Sequence, residues 1–122
     1  MAAPPRQALR IADEIPMAEA VLLGMKIISI REGHIDYRVG EEVFIVCLEQ
    51  GWCAVADLVC SRHTTLRHVR PIELFADGFA DLDQALEALR RFYPDLTLDS
   101  EVTVVGWDHI RGSSVDDFLG QR

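Results

Sequence analysis

The sequence predicts an α+β fold: a small β-barrel flanked by two or three helices. Three observations carry that reading. A β-branched and aromatic run over 43–48 leads through Glu49-Gln50-Gly51 into a second apolar run over 52–60, the pattern of a hairpin in the middle of the chain. Leu82, Ala85, Leu86, Leu89 and Phe92 then recur with a period near 3.6, which makes one amphipathic helix. A last strand-like stretch, 101–108, follows it. Strands in the middle and helices towards the ends suit a small barrel more than a doubly wound sheet.

The elements follow in order. Residues 1–6 read as a leader and 7–12 as a short strand. Pro16 fits a first helical position, 17–23 are good helix formers, and Gly24 supplies a left-handed C-cap. Over 26–31, Ile28 and Ile30 alternate with Ser29 and Arg31 in the period of a half-buried strand. Turns are expected at Glu32-Gly33-His34 and over 38–42. The stretch 58–72 contains no acid and carries Arg62, His63, Arg67, His68 and Arg70, and its part beyond residue 60 reads as a basic connection. Asp81 with Gln84 three residues later opens the late helix, and Pro94 stops it after Tyr93. In the last strand Val102, Val104 and Gly106 oppose Thr103, Val105 and Trp107. The final ten or so residues read as a tail with one helical turn at most.

Composition bounds the function classes. At 122 residues, 49% of them hydrophobic, the chain supports one core. No apolar run reaches the roughly 20 residues of a membrane span, and the N-terminal residues lack the plan of a secretory signal. The expected location is therefore cytoplasmic, with no membrane partner. Cys47, Cys53 and Cys60 are odd in number and sit in apolar runs, which argues for buried thiols in a reducing compartment. The histidines His34, His63, His68 and His109 lack metal-ligand spacing with these cysteines, so no zinc site and no cofactor are expected. A net charge of −8 opposes non-specific binding to nucleic acid, so any such contact must be local. The basic 62–70 segment is either that contact or a solvated loop.

Taken together, Leu22-Leu23-Gly24-Met25-Lys26-Ile27-Ile28-Ser29-Ile30-Arg31 is similar to the signature of the ASCH (activating-signal-cointegrator homology) family, in which a helix ends in Gly-x-Lys and the next strand ends in Arg. Tyr37-Arg38-Val39-Gly40-Glu41 resembles the family's turn into a strand, Phe75-Ala76-Asp77-Gly78-Phe79 its step before a helix, and Phe92-Tyr93-Pro94 the end of that helix. The resemblance covers about residues 15–110, and its specificity lies in the ensemble. It implies a PUA-like barrel and divides the chain into a leader at 1–12, the ASCH-like domain at 13–110 and a tail at 111–122. Members are thought to bind RNA, and some bacterial ones are amidohydrolases that deacetylate N4-acetylcytidine with a Lys, a Thr and a Glu.

Carried across, the resemblance makes Lys26, Ser29 and Asp77 the candidate catalytic residues, with Ser in place of Thr and Asp in place of Glu. A carboxylate one methylene shorter displaces its oxygen by about 1 Å, a shift that can lower a rate about a hundredfold. Lys26 is the one lysine in the chain, and an ammonium, unlike a guanidinium, can lose its proton and act as a base. Strict alternation sets Lys26 and Ser29 on opposite faces, so they converge only if Lys26 belongs to the turn after Gly24. Candidate substrate-binding residues are Arg31, Tyr37, Arg62, Arg67 and Phe79: guanidinium forks for phosphate and rings for a base. Trp52 and Trp107 are further stacking candidates, although Trp in a small barrel more often belongs to the core. The expected function is binding of RNA or a modified nucleoside in a barrel cleft; the alternative is deacylation of N4-acetylcytidine or a related base.

Overall fold

The computed structural model describes residues 7–10, 27–47 and 51–113. The helix expected at 17–23 and Lys26 lie outside them. In chain order the elements are β1 (Gln7–Arg10), β2 (Ile28–Glu32), β3 (Glu42–Cys47), β4 (Trp52–Thr65), a 3₁₀ turn (Leu66–His68), α1 (Pro71–Ala76), α2 (Leu82–Leu89) and β5 (Glu101–Ser113). The strands form one mixed sheet of order β1-β3-β4-β5-β2. The class is α+β, as the pattern predicts.

The chain divides into two compact units. The first contains, of the described residues, 7–10, 38–47, 51–59 and 107–113. There β1 runs parallel to β3, from Gln7 opposite Val43 to Arg10 opposite Val46, and β3 runs antiparallel to β4, from Glu42 opposite Asp57 to Cys47 opposite Trp52. Val43 to Cys47 are all buried, so both faces of β3 are covered, which explains a continuous rather than alternating apolar run. Gly40 (φ +89°) opens the turn before β3, where its N–H reaches the Leu58 carbonyl, as only a residue tolerant of positive φ does without strain.

The second unit consists of 27–37 and 60–106. Its β2 pairs antiparallel with β5, Ile28 opposite Gly106 and Glu32 opposite Val102. Ile30, Leu66, Val69, Leu74, Ala85, Leu89, Leu96, Val102 and Val104 make its core, with Ile28, Phe79 and Tyr93 packed on them. Asp81 caps α2 by accepting the Gln84 N–H, as the spacing predicts.

Three expectations need correction. The segment past residue 60 is not a loop: β4 continues to Thr65 and carries Arg62 and His63, Arg67 and His68 lie in the 3₁₀ turn, and Arg70 is the N-cap of α1. α1 is an element that periodicity does not reveal, because six residues are under two turns; Pro71 at its first position and Glu73, which accepts the Arg70 N–H, are its local signals. α2 ends at Leu89, four residues before Tyr93. There the N–H groups of Arg91 and Phe92 turn to carbonyls three residues back, Ala88 and Leu89, and Phe92 is left half exposed instead of joining the core face. Tyr93 precedes Pro94, whose ring disfavours helical backbone at the residue before it.

Candidate functional site

Of the candidate catalytic and substrate-binding residues, all but Lys26 belong to the second unit, and Lys26 is outside the described residues; the stacking candidates Trp52 and Trp107 belong to the first. On β2, Ile28 and Ile30 face the apolar core, so Ser29 and Arg31 share the opposite face. That face is covered too: Ser29 is buried and Arg31 half-buried. Their partners on β5 are Val105 and Thr103, and cross-strand partners point to the same side. Thr103 is buried and accounts for its hydroxyl twice, donating to the Gly33 carbonyl at 2.6 Å and accepting from the Ile35 N–H at 2.9 Å. This ties the segment 33–37 back onto the sheet and with it Tyr37.

The Tyr37 phenol is raised above its ordinary value near 10, chiefly by burial, while the charge of Arg31 opposes the rise and Tyr93 adds to it. Tyr37 thus lies within electrostatic reach of Arg31 and of Tyr93. Sequence reasoning missed Tyr93, since it read as the last helical turn.

Histidines clamp the same segment. His34 Nε2 lies 3.0 Å from the Thr64 carbonyl and His63 Nε2 lies 2.9 Å from the Ile35 carbonyl. A carbonyl only accepts, so both rings carry their proton on Nε2. The rings stack, centroids 4.6 Å apart.

Asp77 is the C-cap residue of α1, its N–H donating to the Glu73 carbonyl at 3.0 Å. Gly78 (φ +95°) follows in the left-handed region, and Phe79 sends its N–H back to the Leu74 carbonyl at 2.8 Å while its ring packs on the core. The Asp-Gly-Phe step therefore performs a helix stop with its usual hydrophobic contact. Arg62 pairs with the largely buried Glu73, and Arg67 with exposed Asp99 at 3.1 Å. Glu73 was absent from the predicted set; its spacing from Arg70 was the available signal. Trp107 is buried core and Trp52 half-buried.

The thiols divide. Cys47 and Cys53 are buried, but Cys60 is exposed, a correction to the all-buried reading. Its sulfur occupies the space a side chain at Gly106 would need, 2.6 Å from the position of a Cβ there. Desolvation, then the charge of Glu73, pushes the Cys60 thiol up, which keeps it protonated and a poor nucleophile.

No family model matches the sequence, and no curated protein matches it significantly. Solved structures do match. The ASCH domain of Lactobacillus crispatus JV V101 superposes with a TM-score of 0.64 at 14% identity, covering 84% of this chain and 77% of that one. The ASCH protein of Zymomonas mobilis gives 0.62 at 14% identity, covering 93% and 76%. A protein from Enterococcus faecalis V583 gives 0.63 at 13% identity over 88% and 80%. The fold is that of the ASCH domains, the PUA-like class the motif ensemble implies. Among the described residues no helix is long and apolar enough to cross a membrane.

Proposed function

We propose that the chain is a binding module for a nucleobase or a short RNA end, received where half-buried Arg31 of β2 meets half-buried Tyr37. The observation that carries the reading is the Tyr37 phenol within electrostatic reach of both the Arg31 guanidinium of β2 and the Tyr93 phenol, beside a strand that buries the Ser29 hydroxyl. A guanidinium fork suits a phosphate or a base edge, phenol rings offer a stacking surface, and a hydroxyl both donates and accepts. The ASCH-type fold supports a PUA-like RNA-binding or hydrolase-type domain in general. Arg67 and Arg62 would steer phosphate only from the edge of the site, since each already has a carboxylate partner. The basic stretch is thus a weaker anchor than its composition alone implies.

The test is thermal shift and fluorescence anisotropy on the full chain with cytidine, N4-acetylcytidine and a short single-stranded RNA, alongside Arg31→Ala and Tyr37→Ala. Losing one base stack, worth about 1–3 kcal/mol, weakens binding roughly fivefold to 150-fold. Absence of binding by all three ligands, or binding untouched by both variants, overturns the reading. Release of cytidine from N4-acetylcytidine, abolished in Lys26→Ala and Ser29→Ala, would replace it with the amidohydrolase reading.

A further inference from the structure

Among the described residues, one set of three metal-ligating side chains converges: Asp57 on β4 with Asp108 and His109 on β5, all in the first unit, their ligand atoms within 4.8 Å of one another. We propose that this set is a site for a divalent transition-metal ion of the zinc type, built from residues other than those of the proposed nucleobase site. Two features set it apart from an ordinary acidic patch. One donor is an imidazole nitrogen, and one nitrogen with two carboxylate oxygens is a donor set for zinc and its neighbours rather than for calcium or magnesium, which take oxygen alone. The other acid–histidine encounters, His34 with Glu101 at 3.9 Å and His63 with Asp36 at 3.8 Å, stay pairs and gather no third ligand.

The backbone explains how adjacent residues supply two ligands. Neighbours along a strand point to opposite faces, but His109 has φ +52°, which breaks the alternation, and its Nδ1 comes within 3.9 Å of the Asp108 carboxylate. Charge favours a cation. Asp57 and Asp108 bring negative charge to the set, and Arg111 bridges Asp57 and Glu42. A carboxylate has two oxygens, so Asp57 can keep Arg111 on one and offer the other. Three protein ligands leave a fourth tetrahedral position for water. The Cys–His spacing that argued against zinc in the sequence does not bear on a site built from carboxylates and one imidazole.

The experiment is calorimetric titration of the full chain with zinc chloride, with circular dichroism confirming that each variant is folded. One equivalent should bind, weakened about tenfold or more in His109→Ala and in Asp108→Asn, and unchanged in Cys60→Ser and His34→Ala. Those two controls remove the exposed thiol and the stacked imidazole, the rival zinc donors. No stoichiometric binding, or binding lost in a control and kept in His109→Ala, overturns the proposal.

Discussion

In the first unit β3 buries five consecutive apolar or thiol residues, Val43 to Cys47, and its ionic groups, Arg111, Glu42 and Asp57, stay at the surface. In the second, the β2/β5 pair buries two hydroxyls, Ser29 and Thr103, beside half-buried Arg31. Burying apolar surface stabilises without direction, whereas a buried polar group must find a partner at a fixed angle and distance. The first unit is therefore held by packing. The second is held partly by hydrogen bonds.

Substitutions sharpen this contrast. The largest effect is expected at Phe44, nearly fully buried in the first unit: Phe44→Ala should lower the unfolding free energy by about 3–5 kcal/mol in denaturant titration. Thr103→Val comes next. It preserves shape but strands the Gly33 carbonyl and the Ile35 N–H, for a loss of roughly 2–3 kcal/mol, while Thr103→Ser retains most of the stability. A neutral Thr103→Val would break the comparison by showing that packing suffices in both units.

The smallest effect concerns pH. Burial keeps the Tyr37 phenol protonated above its ordinary value near 10, so in alkali the unfolded chain ionises first. More protons bound to the folded state mean that stability falls as pH rises past 10 and through the folded value. Tyr37→Phe should flatten that decline in alkaline melting curves, with phenolate absorbance reporting the ionisation.

Local signals are legible in the sequence where the cause is local. Asp81 and Gln84 announce a cap because the bond spans three residues, and Gly40 marks a turn because its conformation excludes other residues. The extension of β4 beyond Cys60 was hidden because Arg62, His63 and Thr64 look like loop residues until Glu73, Ile35 and His34 supply partners up to thirty positions away. Tyr93 was missed for the same reason, since its neighbour Tyr37 is remote in the chain.

By itself the sequence determined the class of fold, the hairpin, the late helix and the apolar face of β2, because periodicity and caps are set by residues a few positions apart. Only the tertiary structure decided that the polar face of β2 is also covered, that Thr103 ties down the segment bearing Tyr37, and that Asp57 meets His109. Each of those depends on which strands pair and in what register, and a side chain's neighbours across a sheet are written nowhere in its own stretch of chain.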